Sequence, residues 1–189
     1  MKSGVLCAAV LVSAWMLTAC GAPTPTSQET PAVRPAVPDG WRVITSDRQD
    51  IILPVPPALV ILNTSGSIGG LREADGRHEE LIVSATGPRR VDQRQPGESV
   101  EDWLTRGNWL TAGRGEPIAT TYREVLLPAG STLEVTAGYR FEDEDRWTML
   151  HVIDTGQGYA VLQFDGGGPK PETAPEEIRL MRELVEYQP

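Results

Sequence analysis

A strict alternation of apolar and other residues limits what this chain can fold into. The apolar members are Leu133, Val135, Ala137, Tyr139 and Phe141. A period of two residues is typical of a strand that buries one face. Short turn sequences precede this strand, follow it, and separate the two apolar segments that come next. Residues 121–165 therefore predict a four-stranded antiparallel meander.

Four further segments upstream have the composition of strands. They are rich in β-branched residues and lie at 41–46, 50–55, 58–62 and 80–86. The prolines at 54, 56 and 57 end the second strand or place it at a sheet edge. Two glycine-rich stretches, 66–70 and 165–168, are predicted to be flexible loops.

The first predicted helix begins at the sequence Ser99-Val100-Glu101-Asp102. This sequence is similar to a capping box, with Asp in place of the usual Glu. Val100, Trp103 and Leu104 share the apolar side of this helix. Trp103 and Trp109 are predicted to be core and rim residues, with sugar stacking as the alternative.

The second predicted helix closes the domain. Pro175 is expected to be its first helical residue. Its buried stripe is Ile178, Met181, Leu184 and Val185. Its outer side is predicted to carry two ion pairs, Arg179–Glu183 and Arg182–Glu186. A sheet with one apolar face needs a cover, so we predict a single α+β domain over 39–189, an antiparallel β-sheet covered by helices.

Several short segments of the domain, spread over about 45–187, resemble the α/β/α sandwich of PsbP-like and DcrB-like proteins. These segments are a strand led by Trp41, then Ile52-Leu53-Pro54-Val55-Pro56, Ser99-x-x-Asp102-Trp103-Leu104, Leu126-Leu127-Pro128-Ala129-Gly130 and Gly158-Tyr159-Ala160-Val161-Leu162. The glycines at 166–168 depart from that family's pattern. The resemblance implies the sandwich fold, and since the family's roles are scattered it implies little about function.

The first 38 residues differ in composition from the rest of the chain. Lys2 precedes an apolar run that ends at Leu17. That run makes about 20 Å of helix, which is short of the roughly 30 Å hydrocarbon core. A charged start, a short apolar run and a small-residue end are typical of a cleaved export signal, here residues 1–19. Residues 20–38 contain five prolines and predict an extended tether.

The sequence Leu17-Thr18-Ala19-Cys20 resembles the lipobox of bacterial lipoproteins. In that family the cysteine receives diacylglycerol and becomes the new N-terminus. The resemblance therefore implies a lipidated Cys20 and a domain anchored on the extracytoplasmic side of the cell membrane or outer membrane. Two or three acyl chains anchor a protein firmly where one does not. The alternative is an ordinary signal peptide cleaved after Ala19, with Cys20 incidental.

Charge and composition argue against several classes of partner. The chain has 17 Lys and Arg against 26 Asp and Glu, a formal charge of -9. Nucleic-acid binding normally needs a basic patch, so we expect no nucleic-acid partner. Two cysteines and two histidines leave little material for a zinc site, because Cys7 leaves with the export signal and soft ligands are then nearly absent. The four adjacent acids at 142–145 point apart in a tight turn, so we expect no calcium site, and no cofactor is predicted.

Catalytic arrangements also find little support. A serine-hydrolase triad needs a histidine base, and the chain offers His78 and His151. His78 lies in a charged turn, and His151 is expected to be a satisfied or exposed strand residue on the face opposite Leu150 and Val152. Pro169 and Pro171 remove amide donors from the glycine-rich segment that precedes the final helix, which disfavours a phosphate loop. We therefore predict no catalytic residue.

Three hypotheses for function remain. The first is a lipid-anchored, non-catalytic binding or assembly module of the cell envelope, whose partner is an envelope protein or a small ligand. The second is a small-molecule or lipid carrier with an apolar pocket between sheet and helices. The third is an envelope enzyme that uses acidic residues, which requires carboxylates with raised pKa in one cleft.

The lipobox yields a direct prediction about membrane attachment. Replacing Cys20 with Ser removes the only thiol that remains after cleavage at Ala19, so the acyl chains have no attachment point. We expect radiolabelled palmitate incorporation to be lost in Cys20→Ser and kept in Cys7→Ser. Equal palmitate incorporation in the Cys20→Ser chain would contradict the assignment.

Overall fold

The computed structural model of the chain describes residues 35–73, 79–89, 91, 93–110, 117–141 and 143–188. The predicted export signal, the lipobox with Cys20 and most of the tether lie outside the described residues, as does His78. Ten strands and two helices occur in the described part. In chain order they are β1 (Arg42–Thr45), β2 (Ile51–Val55), β3 (Val60–Asn63), β4 (Ser67–Glu73), β5 (Glu79–Thr86), α1 (Val100–Arg106), β6 (Ala119–Leu127), β7 (Gly130–Phe141), β8 (Glu144–Asp154), β9 (Tyr159–Gly167), α2 (Glu176–Leu184) and β10 (Glu186–Tyr187).

The strands form two antiparallel sheets. The larger sheet has seven strands in the order β3-β4-β5-β9-β8-β7-β6, and the smaller has the order β1-β2-β10. Strands β6 to β9 are neighbours in chain order, which confirms the predicted meander. The ladder between β5 and β9 joins this meander to the upstream hairpins. The α+β prediction, an antiparallel sheet covered by helices, is confirmed.

Each face of the seven-stranded sheet carries its own hydrophobic cluster. The first cluster packs that sheet against the small sheet and α2, through buried residues such as Leu53, Phe164 and Met181. The second packs the other face against α1, through Trp103, Leu104 and residues of β7, β8 and β9. The predicted half-exposure of β7 is wrong, because both of its faces are covered over most of its length. Thr132, Glu134 and Thr136, on its polar face, are buried.

Helix α1 begins as predicted at Ser99. The Ser99 hydroxyl accepts a hydrogen bond from the Asp102 amide at 3.0 Å and donates one to the Asp102 carboxylate at 2.8 Å. These bonds satisfy one of the free amides of the first turn. Trp103 and Leu104 are then held against the sheet, where both are buried.

Helix α2 departs from the prediction in two respects. Pro175 is its N-cap residue instead of its first helical residue, because its ψ of 148° is extended. The helix ends at Leu184, so Glu186 lies in β10 and is not one helical turn from Arg182. The predicted outward pair Arg182–Glu186 is therefore wrong, and Arg182 is buried instead. The pair Arg179–Glu183 is confirmed at 2.8 Å, and the predicted apolar stripe is buried. Neither helix is long and apolar enough to cross a membrane.

The two glycine-rich stretches were wrongly predicted to be loops. Residues 67–73 form β4, and β9 continues to Gly167. At Gly166 the missing side chain is what permits the strand, because a Cβ there would overlap the Trp147 indole on the neighbouring strand. The glycine therefore serves close packing of an aromatic ring on the backbone, as isolated strand glycines often do.

This packing predicts different responses of two strand glycines to alanine. Gly166→Ala should lower the free energy of unfolding by about 1–3 kcal/mol, because the buried indole of Trp147 has to move. Gly69→Ala is the matched control, since its Cβ would meet only the Cβ of Asn63 at 3.8 Å. Urea unfolding with unchanged slope measures both effects. Equal midpoints for the two variants would contradict this account of Gly166.

Candidate functional site

An open cleft of about 470 Å³ lies beside α2 on the first face of the large sheet. Its floor is formed by side chains of β6, β7 and β8, and its walls by α2 and the segment that precedes α2. The lining residues are Thr121, Tyr122, Arg123, Glu134, Thr136, Met149, Lys170, Pro171, Glu172, Thr173, Ala174, Arg179 and Arg182. The lining mixes charged, hydroxyl and apolar side chains, as in many small-molecule sites.

The strand register brings three polar side chains into one row at this cleft. Arg123 of β6 is directly opposite Glu134 of β7, which is directly opposite His151 of β8. Directly opposed residues on antiparallel strands project to the same face of a sheet, so the three side chains meet. Arg182 of α2 reaches the same carboxylate from above the sheet. We call these four residues the Glu134 cluster.

The Glu134 carboxylate accepts hydrogen bonds at both of its oxygens. Arg123 Nη2 donates to Oε1 at 2.7 Å, His151 Nε2 lies 3.0 Å from Oε2, and Arg182 Nη1 also donates to Oε2. Exposure falls steeply along the cluster. The Arg123 side chain is 60% exposed, whereas Arg182, Glu134 and His151 are 9%, 7% and 0% exposed.

The donors around Glu134 keep its carboxylate charged. Burial raises the pKa of Glu134, but the hydrogen bond from His151 and the positive charges of Arg182 and Arg123 outweigh burial and lower that pKa to about 2. Hydrogen bonds to the charged form and nearby opposite charges both favour an ionised carboxylate. Glu134 is therefore an anion throughout the neutral and mildly acidic range.

His151 is neutral at neutral pH. Burial lowers the pKa of His151 and the Arg182 charge lowers it further, while the hydrogen bond to Glu134 opposes both. Since Glu134 only accepts, the proton of the neutral ring must be on Nε2. The 3.5 Å approach of Arg182 Nη1 to that nitrogen is then a close contact and no hydrogen bond. Nδ1 is buried next to the backbone of Leu162, the residue opposite His151 on β9. The prediction of His151 as a satisfied strand residue is confirmed at Nε2.

These properties make the Glu134 cluster better suited to holding charge than to transferring protons. A general base works best with a pKa near the operating pH, whereas the pKa of Glu134 is about 2. His151 has no exposed surface from which to reach a substrate. Within the cluster, Glu134 orients the Arg123 guanidinium through one hydrogen bond, and the Arg123 side chain stays largely exposed.

The remaining sequence candidates do not converge on this cleft. In the part of the acidic turn that the structure describes, Asp145 pairs with Arg140 at 3.0 Å and Glu144 lies 3.8 Å from Arg146. Across the described ranges, no group of three or more His, Cys, Asp or Glu side chains has the arrangement of a metal site. Trp103 stacks on Trp109 with ring centroids 5.7 Å apart and is buried, so it offers no platform for a sugar. Trp109 lies beyond the end of α1.

Sequence reasoning missed Arg123, Glu134 and Arg182 as a group. Glu134 occupies a polar position of the alternating strand, so its pattern was that of a solvent-facing residue. The predicted hairpin between the strands of Glu134 and His151 contained the useful signal, because its short turn fixes which residues are opposite each other. Arg182 had no such signal, since it approaches from a helix 48 residues away.

No protein-family model matches this chain, and no curated protein matches it. Among solved structures, the chain is similar to the crystal structure of LpqN, a protein involved in cell envelope biogenesis of Mycobacterium tuberculosis. The two chains are 15% identical with a TM-score of 0.45, and the likeness covers 79% of this chain and 91% of LpqN. The resemblance to PsbP-like and DcrB-like proteins and the lipobox stay predictions.

The buried neutral histidine predicts an acid-sensitive domain. In the unfolded chain His151 is protonated below about pH 6.5, whereas burial lowers its pKa in the folded chain. The unfolded state therefore binds more protons, and the free energy of unfolding falls as pH falls. Between about pH 6 and 5, wild-type unfolding free energy should drop more steeply than that of His151→Gln, by up to about 1.4 kcal/mol per pH unit. Glutamine keeps a donor for Glu134 but does not titrate.

Glu134 extends this loss to lower pH. Its pKa is lowered from 4.5 to about 2, so its contribution is present above pH 4.5 and is lost as pH falls toward 2. Urea unfolding at a series of pH values measures both steps. Parallel pH profiles for wild type and His151→Gln would show that His151 is not held neutral.

Proposed function

We propose that this protein is a lipid-anchored, non-catalytic binding module of the cell envelope, and that the cleft beside α2 is its ligand site. The observation that carries the proposal is a solvent-open cleft whose floor holds a buried, fully hydrogen-bonded carboxylate between two arginines. Buried ions cost several kcal/mol each, and replacing such pairs with apolar residues is often neutral or stabilising. Stability alone therefore does not account for these ions, and their place at a cleft supports a role in recognition.

The chemistry of the cleft favours binding over catalysis. Glu134, which lines the cleft, and His151, which is buried beside it, are both held away from proton transfer near neutral pH, Glu134 by a pKa of about 2 and His151 by complete burial. An envelope enzyme that uses acidic residues needs a carboxylate with a raised pKa. Glu134 has the opposite shift, which supports a binding role.

The lining of the cleft also bears on the carrier hypothesis. A carrier of lipid tails needs a pocket lined mainly by apolar side chains. This cleft instead carries arginine, lysine, glutamate and threonine side chains around Met149, Pro171 and Ala174. The lining supports a polar small molecule as the ligand, with an apolar contact on one side.

The tether fits a module that works at a distance from the membrane. A proline-rich segment spans about 3.1 Å per residue, so residues 20–38 reach roughly 50–60 Å when extended. The lipid anchor on Cys20 and this tether would keep the domain near a membrane while leaving the cleft open to envelope ligands. The partners we propose are therefore the membrane, through the anchor, and a small envelope ligand.

Blocking the cleft tests the proposed site. Thr121 is exposed and faces the cleft from β6, so Thr121→Trp should fill part of the cleft without disturbing the core. We expect native mass spectrometry of the lipoprotein, purified from host membranes in a neutral detergent, to detect a bound small molecule in wild type. Its occupancy should fall at least fivefold in Thr121→Trp.

The matched control lies on the same strand. Leu126 is 62% exposed and projects from the opposite face of β6, so Leu126→Trp adds the same indole outside the cleft. This variant should retain the bound mass of wild type. Wild-type protein without any bound molecule, or equal loss in both variants, would contradict the cleft as the ligand site.

A further inference from the structure

The charges that face the cleft are opposite in sign to the charge of the whole chain. Four lining side chains are cationic, from Arg123, Lys170, Arg179 and Arg182, and two are acidic, from Glu134 and Glu172. The chain as a whole has a formal charge of -9. A local excess of one sign in a cleft raises the local concentration of ligands of the opposite sign.

Two of these cations are already neutralised. Arg179 is bound by two carboxylates, Glu176 at 2.5 Å and Glu183 at 2.8 Å, so this trio carries one negative charge. Arg182 and Arg123 share the single negative charge of Glu134, so that trio keeps one positive charge. Arg123, at the exposed end of the trio, presents that charge to the cleft. Lys170 adds a second positive charge, and the exposed Glu172 is the carboxylate that opposes them.

Arg123 and Lys170 flank the same place in the cleft. Lys170 Nζ lies 3.4 Å from Thr121 Oγ1, and no closer partner of this ammonium is present among the described residues. Thr121 and Arg123 are two residues apart on one face of β6, which separates them by about 7 Å. The guanidinium and the ammonium therefore line the same cleft, with Lys170 next to the strand neighbour of Arg123 on that face.

Arg123 has donors to spare and is held in place. A guanidinium has five N–H donors, and Arg123 uses Nη2 on Glu134. Arginine binds carboxylate and phosphate groups with two parallel hydrogen bonds, and lysine adds a point charge. Because Glu134 fixes the guanidinium before a ligand arrives, less side-chain freedom is lost on binding.

The cleft is larger than a single inorganic ion would fill. About 470 Å³ lies within the usual range for small-molecule sites. Beyond the two cations, the cleft offers the hydroxyls of Thr136 and Thr173 and the apolar surfaces of Met149 and Pro171. A ligand with one anionic group and a compact organic body would use both parts.

Taking the binding role proposed above as given, we propose that the cleft recognises a small organic molecule through a carboxylate or phosphate group held between Arg123 and Lys170. The organic body of the ligand occupies the part of the cleft lined by Met149 and the segment before α2. Glu134 acts as a positioning residue, because its carboxylate accepts the hydrogen bond that orients Arg123.

Competitive amine labelling tests the proposal on the full chain in neutral detergent micelles. Of the two lysines of the 189-residue chain, Lys2 leaves with the predicted export signal, so Lys170 is the only lysine of the processed lipoprotein, and N-acetyl-lysine methylamide added to the same reaction reports any general effect on the reagent. The probes are succinate, glycerol 3-phosphate and inorganic phosphate, each compared with chloride at equal ionic strength. We expect at least one probe to slow acetylation of Lys170 at least threefold relative to the added lysine derivative.

Substitutions then assign the effect to the paired cations. Arg123→Gln should raise the half-protecting probe concentration at least tenfold, and Arg123→Lys should raise it less, since the charge remains but the paired donors are lost. Arg140→Gln is the matched control, because Arg140 is an exposed arginine on β7 that pairs with Asp145 away from the cleft. Far-ultraviolet circular dichroism verifies that each variant is folded.

The outcomes distinguish the source of the anionic group. Protection by succinate alone supports an organic acid, and protection by glycerol 3-phosphate beyond inorganic phosphate supports a phospholipid headgroup or a related phosphate ester. No protection by any probe, or protection that survives Arg123→Gln, overturns the anion proposal. If the anion proposal fails in this way, the binding function is still supported when native mass spectrometry detects a small molecule bound to wild type but not to Thr121→Trp. Conversely, protection without such a bound mass would count against the proposed function.

Discussion

The carboxylate of Glu134 is the constraint on which the arrangement of this domain depends. It lies 7% exposed in a sheet that is covered at that point, so its charge must be balanced where it stands. Three elements supply the balance, β6 through Arg123, β8 through His151 and α2 through Arg182. A one-residue slip of either ladder, or a rotation of α2, would remove one of these three partners from a buried anion. The packing of the helix and the shape of the cleft beside it are thus tied to one side chain.

Much of the fold was accessible from the sequence because its signals are local. The alternation from 133 to 141, the short turns and the capping sequence at Ser99 each act within about ten residues. They led to the meander β6 to β9, to helix α1 and to the buried stripe of α2. The two glycine-rich stretches were wrongly predicted to be loops, because the prediction considered only the flexibility of glycine and not the strands that pair with these residues. At Gly166 the neighbour is Trp147, which comes from another strand.

The site was less accessible, because its charges meet only in three dimensions. Arg182 was predicted to face outward, since Glu186 stood four residues later in a pattern that continued the helix. The helix ends at Leu184, and the chain turns so that Glu186 pairs with β2. Because the helix ends there, Arg182 does not pair with Glu186 and instead forms an ion pair with Glu134. Arg123 carried no signal at all until the strand β6 was aligned with β7.

The topology of the large sheet has a consequence for how this chain reaches its native state. Strands β3 to β5 and strands β6 to β9 are two runs of consecutive neighbours, in which each ladder closes a short loop. The β5–β9 ladder, which joins the runs, pairs Leu81 with Gly166 and must close a loop of 85 residues. Loop-closure entropy grows with length, and non-local pairing slows folding. Pairing along the β5–β9 ladder is therefore the least local step in building the large sheet, since every other ladder of that sheet joins strands that follow one another in the chain.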